Sequence, residues 1–165
     1  MIRTLLVCAV LATSALTLSA CGGSSSSSSG AANQKEADLF AIDQLERTWH
    51  KAATTKNLAL WMTIWAPDAT FTYAGKTYTG RAAIRKLLAG TSPMKPENHW
   101  ISDTPAYKIR TTVNGDKGTL YFECHYVDLD TQKVVAVVGA DNDVQRINGK
   151  WLITTAAAAS PTLGP

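Results

Sequence analysis

A long alternation of apolar and polar residues near the C-terminus sets the reading of the whole chain. Residues 134–158 carry two strand-like apolar runs separated by Asn148-Gly149. Asn-Gly between such runs predicts a two-residue hairpin turn, because both residues tolerate positive φ. Pairing outward from it sets Arg146 opposite Trp151, Val144 opposite Ile153 and Asn142 opposite Thr155, all on one face. Trp151, Ile153, Val144, Ala140 and Val138 make that face the apolar one. Asn142 is then a polar group aimed at the interior, where it needs a partner or a ligand. A bulge at Gly139 would put Asp143 there instead.

Upstream, the period changes from two to between three and four. Leu39, Ile42, Leu45, Trp49 and Ala52 predict a helix over 33–54, with Glu36, Asp38, Glu46, Arg47 and Lys51 on its other side. Asn57 is placed to cap a second, short helix with Leu58, Trp61, Met62 and Trp65 on its apolar side, ended by Pro67-Asp68. Residues 70–73 and 76–79 read as two short strands around Ala74-Gly75. A third helix follows over 81–88, closed by Gly90 at a position that favours left-handed geometry. Residues 91–98, with Pro93 and Pro96, form a loop. Strands follow over 99–113, interrupted near Pro105, and over 118–129 after Asn114-Gly115. The second would span about 40 Å if straight, so it has to coil, and Gly139 is a candidate bend in the next strand. The expected fold is α+β: a cone-shaped, strongly curved antiparallel sheet wrapped around three N-terminal helices, with a pocket at its wide end.

The N-terminus has a different character. Arg3 precedes an apolar run over 5–18 that is too short to span a bilayer as a helix and fits an export signal. Leu18-Ser19-Ala20-Cys21 resembles the lipobox of bacterial lipoproteins, which implies cleavage before Cys21 and lipidation of its thiol. A single acyl chain binds membranes only marginally, so the several chains implied would anchor the protein firmly. Residues 21–32 read as a lipid-anchored Gly/Ser tether spanning on the order of 20 Å. The expected order is thus a signal peptide over 1–20, the tether, a folded domain over 33–158 and a flexible tail over 159–165. Gly22 rather than Asp after the cysteine favours the outer membrane of the cell envelope where the host has one.

Composition adds bounds. With 165 residues, 45% of them hydrophobic, the chain has material for one ordinary core. A net charge of +3 without a basic cluster interleaved with aromatics argues against nucleic-acid binding. Of three cysteines only Cys124 falls in the folded part, and in an alternating strand it reads as a small buried hydrophobe. His99, His125 and the acids have no metal-ligand spacing on one face, so neither metal nor cofactor is expected.

Several stretches together resemble a known family. Trp65-Ala66-Pro67-Asp68-Ala69-Thr70, Tyr78-Thr79-Gly80-Arg81-Ala82-Ala83-Ile84, His99-Trp100-Ile101-Ser102-Asp103, Asn114-Gly115-Asp116 and the run from Gly139 through Asp143 to Ile153 follow one another as in the SnoaL-like branch of the nuclear-transport-factor-2-like superfamily. The resemblance covers roughly residues 36–156. It implies the cone fold, commonly dimeric through the outer sheet face, and a pocket where enzyme members move a proton with Asp, His or Tyr. The Asp that often ends the first helix of enzyme members is replaced here by Thr54, which cannot act as a carboxylate base. The His at the start of the long strand is retained as His99.

Two functions follow as expectations. The first is an envelope-anchored homodimer that binds a small apolar or cyclic molecule without catalysis. Its expected pocket is lined by Trp49, Trp65, Tyr73, His99, Tyr126 and Asn142. The alternative is a lyase or isomerase of dehydratase or cyclase type, with His99 as general acid/base and Tyr73, Tyr126 and Asn142 as hydrogen-bond donors. Either tyrosine hydroxyl could instead satisfy a backbone carbonyl. Tyr121, His125, Val135 and Val137 lie on the outer face, where a second copy is expected to bind.

Overall fold

The computed structural model describes residues 26–159. The expected signal peptide, Cys21 and the expected tail beyond residue 159 lie outside the described residues. Helix α1 (Ser26–Thr54) is followed by α2 (Leu58–Met62), β1 (Trp65–Tyr73), β2 (Lys76–Thr79) and α3 (Arg81–Ala89). A 3-10 turn over Ser92–Met94 leads to β3 (Trp100–Ser102), β4 (Lys108–Asn114), β5 (Lys117–Asp128), β6 (Lys133–Ile147) and β7 (Lys150–Ala159). The seven strands form one curled sheet in the order β2-β1-β7-β6-β5-β3, with β4 also paired to β5. β3 and β4 are thus one edge strand in two pieces, broken around Pro105 as the sequence predicts.

The expected antiparallel sheet holds except at one ladder, since β1 runs parallel to β7. The hairpin pairs Arg146 with Trp151 and Val144 with Ile153 as expected, but then shifts, pairing Asp143 with Thr155 and Asn142 with Ala156. The extra residue is Thr154, and β1 shifts against β7 at the same point, between Trp65 and Thr70. Pro67 lies in that excursion of β1 and has no N–H to give a ladder. The alternative bulge at Gly139 does not form: Gly139 pairs regularly with Glu123 and Ala159. Because β6 itself keeps its alternation through this region, Asn142 stays inside and Asp143 outside.

Three local readings change. Helix α1 begins at Ser26, seven residues before its expected start. Helix α2 ends at Met62, so Trp65 opens β1 instead of continuing the helix, while Asn57 caps α2 by accepting from the Leu60 N–H at 2.9 Å. Gly90 closes α3 with φ −91°, not in left-handed geometry.

The core lies between the inner face of the sheet and α1. Ile42, Leu45, Trp49, Ala52 and Ala53 meet Leu120, Phe122, Cys124, Val144, Trp151 and Ile153, all buried. Gly118 permits the closest approach: a Cβ there would sit 2.3 Å from the Thr112 carbonyl oxygen and 3.1 Å from Ile42 Cδ1. Two acids read as solvent-facing are buried instead. Asp38 accepts from Arg146 at 2.6 Å and from the Trp151 indole at 3.2 Å. Glu46 is fully buried, accepts from the Ala106 N–H at 2.7 Å, and lies 2.6 Å from His50 Nδ1.

Candidate ligand-binding cavity

A cavity of about 170 Å³ opens at the wide end of the cone. Helices α1 and α2 supply Trp49 and Trp61, and β1 supplies Phe71 and Tyr73. The sheet contributes Trp100, Tyr126, Ala136, Val138 and Ala158. Leu88 of α3 and the following Thr91, Ser92 and Pro93 close the remaining side. Trp49 is the hub of the aromatic wall, with ring centroids of Trp61, Trp65, Phe71 and Phe122 between 5.4 and 5.8 Å away. Edge-to-face and tilted contacts at such distances hold the rings rigidly.

The loop beside the cavity is tied down by its neighbours. Lys56 donates to the Pro93 carbonyl at 3.0 Å and the Asn98 carbonyl at 2.6 Å, and the Asn98 side chain donates to the Ser92 carbonyl at 2.9 Å. Tyr126 is buried on the cavity wall, only 4% exposed. Burial pushes its phenol far above the ordinary value, with nearby Cys124 adding to the rise, so it stays protonated. Tyr73 is half-exposed at the rim.

Three of the six residues expected to line the pocket do so: Trp49, Tyr73 and Tyr126. Trp65 lies one layer behind, fully buried against Trp49 and Phe71. Asn142 is interior but not on the cavity wall; its amide donates to the Leu120 carbonyl at 2.8 Å and serves the sheet. His99 is misplaced by the sequence reading. Its side chain is more than half exposed and Nδ1 meets an Asp130 oxygen at 2.8 Å, outside the cavity. β3 starts one residue later, and Trp100 takes the inward position. Thr54 accepts from the Ser102 N–H at 2.9 Å, holding α1 to the edge strand. Trp61, Phe71, Leu88 and Trp100 line the cavity without having been singled out, although Trp61 already lay on the apolar side of its helix.

The Cys124 thiol is buried and pushed up to about 12 by its burial, which suits a core residue and not a nucleophile. Among the described residues, no group of three His, Cys, Asp or Glu side chains is placed to hold a metal ion.

The chain belongs to the SnoaL-like domain family, whose model matches residues 35–157. No curated protein matches it. Among solved structures it is similar to a nuclear transport factor 2-like protein with a cystatin-like fold from Novosphingobium aromaticivorans. The TM-score is 0.72 at 19% identity, over 86% of this chain and 94% of that one. It is also similar to the hexachlorocyclohexane dehydrochlorinase LinA-type3 from Novosphingobium barchaimii, with TM-score 0.66 and 18% identity over 81% and 93%. A nuclear transport factor 2-like superfamily protein from Salmonella enterica gives TM-score 0.61 and 16% identity over 82% and 96%. These likenesses establish the fold.

Proposed function

We propose that the chain binds one small, uncharged, cyclic molecule in this cavity and does not transform it. One observation carries the reading: among the described residues, the cavity wall is built of rings, aliphatic groups and hydroxyls, with no carboxylate, imidazole or amine. Proton abstraction needs a base within hydrogen-bond reach of the substrate. The elimination named for the dehydrochlorinase relative is a reaction of that kind. Here the position of the family's frequent Asp is a hydroxyl already bound to Ser102, and His99 lies outside. The lyase or isomerase alternative therefore lacks the acid/base on which it was built.

Size is consistent with this role. An apolar cavity of about 150 Å³ takes up benzene, so about 170 Å³ suits a single ring. Saturable uptake of toluene, followed by shifts of the tryptophan indole N–H resonances, is the expected result. Ala136→Phe, which fills the cavity, is expected to abolish it. Toluene shifts that never saturate, or that survive Ala136→Phe, would contradict the reading.

Two wider features belong to the same proposal. Lipidation at Cys21 would hold the domain on the envelope, on the outer membrane where the host has one, as the Leu18-Ser19-Ala20-Cys21 sequence supports. Cys21→Ser is then expected to move the protein out of the detergent phase in a membrane partition. A second copy would cover the outer sheet face, where Val134 and Val135 stand 51% and 40% exposed.

A further inference from the structure

We infer that residues 91–98 form a hinged flap in the cavity wall through which the ligand enters and leaves, and that Lys56 is its latch. The inference rests on the cavity being a binding site, and it says how that site is loaded. Most of the wall belongs to helices and strands, whose backbone hydrogen bonds hold it in place. Thr91, Ser92 and Pro93 are the exceptions, lying in the loop and its 3-10 turn. The loop is braced within itself. The Met94, Lys95 and Asn98 N–H groups donate to the Thr91, Ser92 and Lys95 carbonyls, and the Asn98 side chain donates to Ser92. Bonds of that local kind let the segment move as one piece. Among the described residues, the hydrogen bonds that join residues 92–98 to elements beyond α3 both come from the Lys56 ammonium, to the Pro93 and Asn98 carbonyls. Met94 adds an apolar foot against the core, and the exposed Gly90 stands at the near end as a hinge.

Lys56 occupies its place against the local backbone preference. The Asn57 N–H reaches the Ala52 carbonyl at 2.8 Å and the Lys56 N–H reaches the Ala53 carbonyl at 3.2 Å. This pair of bonds closes a helix on a left-handed residue. That residue is Lys56, with φ 53°, where glycine is usual because a Cβ is strained. A glycine would lack the side chain that holds the loop, and strain kept at one residue points to a role for it. Lys56 does not line the cavity, so releasing it frees the flap whether or not a ligand is bound. Entry and exit then quicken together while their ratio stays the same.

The rates of toluene exchange with the full chain, read from NMR line shapes and magnetisation transfer, test this. Lys56→Met keeps the stem and loses the donors. It is expected to raise the on-rate and the off-rate about tenfold each, the scale of a lost hydrogen bond from a charged group. Kd is expected to stay within about twofold, because the latch does not touch the ligand. Lys56→Gly is expected to give the same rates and to melt at or above Lys56→Met, because it also relieves the left-handed backbone. Unchanged rates in both variants would overturn the flap and leave the binding reading standing. So would a weaker Kd with an unchanged on-rate, which would make Lys56 a support of the closed wall. Absence of saturable toluene uptake by the unmodified chain would overturn the binding reading and the flap together.

Discussion

Single side chains fix this fold where two elements meet. Trp151 is 6% exposed, lies under the Arg146 guanidinium 5.0 Å from its ring, and gives its indole proton to Asp38. Trp151→Ala is expected to cost about 3–5 kcal/mol in denaturant unfolding, the range for large core truncations. At Gly118 the constraint is space. A methyl group would strike the Thr112 carbonyl, so Gly118→Ala is expected to cost roughly 1–3 kcal/mol, as overpacking does. Glu123 on the outer face responds to pH. Hydrogen bonds from Lys108, Tyr107 and Tyr121 bring its carboxyl down from 4.5 to about 2. A depressed pKa contributes stability that is full above 4.5 and lost as pH falls through about 2. Thermal melts between pH 5 and 2 are therefore expected to show a slope that Glu123→Gln flattens. An unchanged slope in that variant would place the acid sensitivity elsewhere.

Within elements, periodic signals were readable and tertiary ones were not. The Asn148-Gly149 turn and the parity of β5 follow from local pattern, and Leu120, Phe122, Cys124 and Tyr126 are all buried as alternation requires. The bulge at Thr154 was not readable, because its counterpart is the excursion of β1 around Pro67, some ninety residues away in sequence. Trp61 to Trp65 has helical spacing, yet the helix stops at Met62 and Trp65 reaches the core from a strand. His99 fell outside through a shift of one residue at the start of β3, enough to exchange inside and outside. On α1, Glu46, His50 and Thr54 recur every four residues and form a polar stripe. Glu46 and Thr54 accept from Ala106 and Ser102, so the stripe fastens the helix to the broken edge strand. A charged residue read alone gives no sign of such a partner. Glu46→Ala is expected to cost about 1–3 kcal/mol, because it leaves the Ala106 N–H buried without its acceptor. A near-neutral melt would show that the stripe carries no such weight.

At the scale of the molecule, one sheet separates two surfaces with different tasks. Its inner face forms the core and the cavity; its outer face carries Tyr107 stacked on His125 at 4.3 Å, the hydrogen bonds around Glu123, and the exposed Val134 and Val135. Val137, expected to contribute to that outer contact, is already 7% exposed within one chain and has little left to bury. The apolar contribution to a proposed second copy would therefore come from the start of β6. A two-fold contact places the same patch against itself, so a charge introduced there meets its own copy. Val135→Lys is expected to halve the mass measured by light scattering at micromolar concentration. The cavity wall does not include Val135, so affinity for toluene is expected to stay the same in that variant. A monomeric mass for the unmodified chain would remove the dimer while leaving the cavity reading intact. A loss of both mass and affinity in Val135→Lys would instead mean that the second copy shapes the binding site.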